Sequence, residues 1–238
     1  MVDSATVALQ TADGPMDVYE ARPGAEASRA VVVIQEAFGV NEHIRDVARR
    51  FAAQGYVAVA PALFHRSGGG TAPYDDFSKV MPLMAGMDDE GILMDVDATF
   101  AHLRSAGFRD EAIGLAGFCM GGRVSFLVAV RRRIGAAVGF YGGGIVTARR
   151  PGQATLIEEA RSLQMPWLGL FGDEDAGIPV ADVERLRVAL ERAAVATAIV
   201  RYPGAGHGFH CDERAAYHEA SARDAWARTL DWFGTHLA

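Results

Sequence analysis

Ala30-Val31-Val32-Val33-Ile34 is an unbroken apolar run, β-branched in four of its five positions. A strand of that kind has no face to give to water, so it must be covered on both sides. Val40, Ile44, Val47, Ala48 and Phe51 follow at three- and four-residue spacing, one face of a helix running to Gln54. Tyr56–Ala60 is the next strand, and Pro61 ends it. The alternation continues, with strands at Ile113–Phe118, Ala136–Tyr141, Trp167–Phe171 and Ala198–Tyr202. Helices fall at Asp89–Ser105, Arg123–Val130 and Val180–Ala193, and a last one sets Ala222, Ala225, Trp226, Thr229, Leu230 and Phe233 on one stripe. Strand–helix alternation of this kind predicts an α/β fold, a mostly parallel central sheet of about eight strands with helices on both faces. Two early strands, Thr6–Leu9 and Met16–Ala21, are joined by Asp13-Gly14, a hairpin signal that predicts an antiparallel N-terminal edge. No linker, repeat or charge block interrupts the pattern, which predicts one domain over residues 1–238.

Charge and cysteine content narrow the class of partner. Lys plus Arg number 23 against 30 Asp plus Glu, a net charge of −7. No basic field is present for nucleic acid or an anionic membrane. Arg131-Arg132-Arg133 reads as a cationic helix end complementing the helix dipole. The opening Met1-Val2-Asp3-Ser4 lacks the basic and apolar regions of a targeting signal, and no apolar run is long enough to span a bilayer. Only Cys119 and Cys211 occur, too few for a disulfide scaffold. The expectation is a cytoplasmic protein, a monomer or weak homodimer, acting on a small molecule. His65 to Met87, with Gly68-Gly69-Gly70 and Met81, Met84 and Met87 at three-residue spacing, has two readings. It is a surface loop leading into a short helix whose methionines fill core gaps, or an adaptable apolar wall over a cleft.

Chemistry concentrates at Gly117-Phe118-Cys119-Met120-Gly121, which sits between a strand and a helix. A nucleophile on a sharp strand-to-helix turn needs small neighbours, and Gly117 and Gly121 supply them. The helix N-terminus favours thiolate over thiol. The plain alternative is a small buried cysteine beside a glycine-rich turn. A cysteine nucleophile needs a base, and the base needs an orienting acid. Asp175 and His207 follow the next strands in the required order, nucleophile then acid then histidine. Both lie beyond strand carboxyl ends, where open α/β sheets place their sites. Asp173 competes for the acid and His210 for the histidine. His43, His102, His218 and His236 fall on helices or their flanks and read as surface residues. A metal reading of His207-x-x-His210-Cys211 lacks a second ligand cluster, and no cofactor or metal is expected.

These segments resemble the dienelactone hydrolase family of the α/β-hydrolase superfamily. The likeness rests on Gln35-Glu36-Ala37-Phe38-Gly39, Gly55–Pro61, Gly117–Gly122 and Gly204–Phe209, and spans nearly the whole chain. It implies a carboxymethylenebutenolidase-like carboxylic ester hydrolase with a Cys119-Asp175-His207 triad. It also implies that Glu36 exchanges a proton with the cysteine, and that the backbone N–H groups of Ala37 and Met120 form the oxyanion hole. Phe38, Tyr141, Lys79 and Phe209 are expected around the substrate. The chain departs from the family in one respect. Family members acting on dienelactone grip its carboxylate with two arginines, and the matching positions here hold Cys211 and Phe77. Arg66, Lys79 or Arg214 are the available substitutes.

The expected reaction is acyl transfer through a thioester. A thiolate leaves a tetrahedral intermediate more readily than an alkoxide, so activated esters and enol lactones suit it better than alkyl esters. Two other readings stand beside it: a non-catalytic ligand-binding protein of the same fold, and a redox thiol pairing Cys119 with Cys211.

Overall fold

All five residues of β3 (Ala30–Ile34) are buried, as a run without a polar face requires. The computed structural model describes residues 1–149 and 152–238, in two compact units: Met1–Leu115 with Ala238, and Ala116–Leu237. The eight strands follow the order β1-β2-β4-β3-β5-β6-β7-β8 in a mostly parallel sheet, an α/β fold.

The first unit opens with the hairpin of β1 (Asp3–Thr11) and β2 (Gly14–Arg22), paired antiparallel from Asp3↔Arg22 to Thr11↔Gly14. Both strands run longer than their apolar cores suggested. β1 is mostly exposed, so its length is set by the backbone ladder to β2 and not by burial. β2 pairs antiparallel with β4 (Val57–Pro61), and β4 pairs parallel with β3. Between β3 and β4 runs α1 (Glu42–Ala53), capped by the Asn41 side chain, which accepts from the Ile44 N–H. His43 corrects the surface reading given to it: it is buried on α1, four residues before Val47 and so on the same face.

The segment from His65 to Met87 folds as two short 3₁₀ turns, His65–Ser67 and Phe77–Lys79, and the short helix α2 (Val80–Met84). Of its methionines, Met87 is buried, Met84 packs half-buried against the cluster of Phe38 and Val80, and Met81 is exposed. α3 (Asp89–Ser105) follows, and its buried Asp95 accepts two hydrogen bonds from Arg66, at 2.6 and 2.9 Å, and one from His65 at 3.0 Å. Arg66 also reaches Asp13 in the hairpin turn, so one guanidinium fastens three segments.

β5 (Ile113–Phe118) crosses the boundary between the units. In the second unit β6 (Ala136–Phe140), β7 (Trp167–Gly172) and β8 (Thr197–Tyr202) are paired parallel. α4 (Met120–Arg131) and α6 (Glu219–His236) pack on β6 and β7, and α5 (Val180–Leu190) lies against β8. The fully buried Trp167 packs edge-on against Phe126 of α4 and donates its indole N–H to Ser125 Oγ at 3.1 Å. Among the described residues, no helix is long and apolar enough to cross a membrane.

Candidate active site

β5 delivers Cys119 to the head of α4 with φ 55° and ψ −112°, a conformation L-residues avoid. Holding it costs on the order of 1–3 kcal/mol, which the surrounding structure must offset. The turn is forced by close backbone approach. A Cβ at Gly117 would run into the Gly121 carbonyl, and one at Gly122 into the Phe140 carbonyl. This explains why α4 starts at Met120, three residues before the expected Arg123. Gly122 is a poor helix former, but a side chain there would collide with Phe140 at the end of β6. The Cys119 N–H donates to Phe140 O at 3.0 Å, fixing the turn to the end of β6. Cys119 is half-buried, and Met120 contributes one of the N–H groups of the first helical turn.

Asp175 and His207 lie beyond β7 and β8, on loops bonded to each other. The Asp173 N–H donates to Tyr202 O at 3.0 Å and the Glu174 N–H to Ala205 O at 2.9 Å. On this frame His207 Nδ1 donates to Asp175 Oδ2 at 2.6 Å, and Nε2 meets Cys119 Sγ at 3.0 Å. The second Asp175 oxygen accepts from the Gly177 N–H at 2.9 Å. Burial opposes charge on His207, but negative charge on the Cys119 sulfur and the bonds to Asp175 and Cys119 outweigh it. The imidazolium is pushed up to about 10. Burial likewise opposes charge on Asp175, yet its bonds to His207 and Gly177 hold its carboxyl below the usual range.

The competing residues have other occupations. Asp173 takes a two-pronged ion pair from Arg201, at 2.7 and 2.8 Å. His210 is buried against the rings of Phe118 and Phe140. Cys211 is fully buried, and neither cysteine is held in a disulfide. Among the described residues no group of three His, Cys, Asp or Glu side chains is gathered to hold a metal.

The side chains expected around the substrate fall into two kinds. Tyr141, whose own φ is 38°, lies edge-on to His207 with ring centroids 5.2 Å apart, and Phe209 packs behind it at 5.3 Å. Both rings are 0% exposed, so in this structure they brace the histidine and offer no surface to a ligand. Phe38, in the first unit, is 4% exposed and edge-on to Tyr74. Lys79 is exposed and 3.4 Å from Asp76.

Within the same unit, Gln35 is structural: its Oε1 accepts from the Leu63 N–H at 3.1 Å, tying β3 to the segment after β4. Glu36 is fully buried and accepts from the Tyr74 hydroxyl at 3.2 Å, which in turn accepts from Asn41 Nδ2 at 2.9 Å. Ala37 is buried beside Phe38. Sequence reasoning missed Tyr74 and Asn41, because a hydroxyl reaching a carboxylate across 38 positions leaves no local pattern.

Comparison with known proteins places this arrangement. The profile of the dienelactone hydrolase family matches residues 16–237. The chain belongs to the dienelactone hydrolase family. A protein of Salmonella typhimurium named as a candidate carboxymethylenebutenolidase is 40% identical over 228 residues, covering 93% of this chain and 83% of its own. The crystal structure of a candidate dienelactone hydrolase from Klebsiella pneumoniae superposes with a TM-score of 0.91 at 36% identity, covering 98% of this chain and 99% of that one. A more distant relative from Bradyrhizobium is named as a candidate 2-oxo-3-(5-oxofuran-2-ylidene)propanoate lactonase. It is 30% identical over 222 residues, covering 92% of this chain and 89% of its own.

Proposed function

We propose that this hydrolase opens activated esters or enol lactones through a thioester on Cys119, with the 238 residues acting as one domain. The observation that carries the reading is the line Cys119–His207–Asp175, with separations of 3.0 and 2.6 Å, at the head of a helix. The Cys119 thiolate adds to the carbonyl carbon, and the C–O bond breaks as the alkoxide, enolate or phenolate leaves. His207, protonated while it faces the thiolate, gives that leaving oxygen its proton. Once the sulfur is acylated its negative charge is gone, and with it the largest support for the imidazolium. The ring is then a neutral base able to take a proton from water, which attacks the thioester and releases the acid. Asp175 holds the ring in the needed orientation throughout.

The family likeness adds two roles. The N–H groups of Met120 and Ala37 receive the oxyanion, and Glu36 exchanges a proton with the thiol. Arg214 lays its guanidinium against Gly208, the residue after His207, and on that placement it is the proposed partner of a substrate carboxylate. A carboxylate-bearing enol lactone, the kind of compound for which the Bradyrhizobium relative is named, is the favoured substrate class. Phe38 is the proposed apolar neighbour of that substrate.

Comparing turnover of p-nitrophenyl acetate with ethyl acetate, for the protein and for Cys119→Ala, tests this reading. Turnover of the aryl ester that far exceeds the alkyl ester and vanishes in the variant supports it. Equal turnover of the two esters, or turnover that survives in Cys119→Ala, overturns it.

A further inference from the structure

Beyond the triad, one cation is built against the loop that carries its acid. Arg149, in the segment after β6, donates from Nη1 to the Gly177 carbonyl at 2.9 Å. Its side chain lies close against two glycines. A Cβ at Gly177 would meet Nη1 at 2.7 Å and Nη2 at 2.8 Å, and one at Gly143 would meet the Arg149 side chain as well. The root of that side chain is fixed too, since the Arg149 N–H donates to Gln153 Oε1 at 2.8 Å. Gly177 is the residue whose own N–H holds Asp175 Oδ1. A continuous line therefore runs from Arg149 through Gly177 to Asp175, His207 and Cys119.

We propose that Arg149 is a positioning residue for the triad acid, clamping the Gly177 turn and setting its charge beside the Asp175 carboxylate. This rests on Asp175 being the triad acid. The groups acting on the charge of that carboxylate are His207 from the loop after β8, the Gly177 N–H from its own loop, and Arg149 from the loop after β6. Arg149 favours the ionised carboxylate, adding to the effect of His207 and Gly177. Arg149 is exposed and lines a cleft of about 460 Å³ with Ile145, Phe171 and Leu186. Its field is therefore open to screening by salt.

Titrating the Asp175 carboxyl by carbon NMR in the full chain, with Asp175→Asn assigning the signal, tests the proposal without needing turnover. In Arg149→Gln the carboxyl should bind its proton about threefold more tightly at low salt, the difference shrinking at high salt, while Arg149→Lys stays near the parent. A Gln-variant titration that superimposes on the parent, or equal changes in Gln and Lys variants, overturns it. With p-nitrophenyl acetate, Arg149→Gln should lower kcat about fivefold and leave KM within about twofold. A raised KM at unchanged kcat would make Arg149 a substrate contact and overturn the positioning role. Failure of the catalytic reading shows separately, as hydrolysis that survives in Cys119→Ala.

Discussion

His207 Nδ1 and Asp175 Oδ2 stand 2.6 Å apart, and the two loops that hold them are bonded backbone to backbone, Glu174 N–H to Ala205 O at 2.9 Å. The pair is thus set by the ends of two adjacent parallel strands, with the side chains left few alternatives. Asp175→Asn keeps the shape but presents an amide that no longer favours the required tautomer and charge. Its kcat on an activated ester should fall on the order of 10³-fold with little change in melting temperature. Steady-state kinetics beside a thermal melt checks this.

Burial opposes the charge on His207, and the sulfur facing it is the largest support for that charge. Replacing Cys119 with Ala removes that charge, so the His207 pKa, about 10 in the parent, should drop toward the ordinary imidazole value. Proton NMR of the ring follows it directly. The same coupling contributes to stability with a definite sign. A raised folded-state pKa stabilises fully below the unfolded value near 6.5, and the contribution is lost as pH climbs through about 10. Asp175 acts at the opposite end. Its lowered pKa stabilises above the unfolded value of 3.8, a contribution lost as pH falls through the folded-state value. Denaturant melts across that range should show both edges in the parent and only the acid edge, weakened, in Cys119→Ala.

Tyr74→Phe takes one donor from the buried Glu36 and leaves Asn41 without its acceptor. A lost hydrogen bond of this kind is worth ~1 kcal/mol, so kcat should fall about fivefold through Glu36 with KM little changed. An unaltered kcat would remove Tyr74 from the account.

Arg66→Ala separates a structural cation from a substrate-binding one. Asp95 is fully buried and would keep His65 as a partner but lose both guanidinium bonds. Stability should fall by about 3 kcal/mol while KM for a carboxylate-bearing lactone stays put. Arg214→Ala should instead raise KM for that lactone.

The strands that were easiest to read are those with no choice of face. β3 and β5 lie where their apolar runs fall, because a fully buried strand advertises itself at every position. β1 was legible only at its centre, since an exposed edge strand is set by register with β2. His43 shows the limit of polarity as a guide: its spacing from Val47 marks the buried face, and its side chain argues otherwise. At the site, the glycine-flanked cysteine and the order of acid and histidine were visible. Asp175 was already the preferred acid in the sequence, and what the sequence could not show is that Arg201 reaches Asp173 from a neighbouring strand. Arg149 and Tyr74 left no trace, because each acts on a group brought near by folding.

The central claim is a covalent intermediate on Cys119. Mixing the protein with excess p-nitrophenyl acetate, quenching in acid, and weighing the protein and its peptides tests it most directly. The account predicts an acetyl group on the peptide holding Cys119, appearing with the first nitrophenolate released, decaying as substrate runs out, and persisting in His207→Ala. Sustained hydrolysis with no acetyl group on Cys119 at any time, or with the acetyl group on another residue, would contradict it.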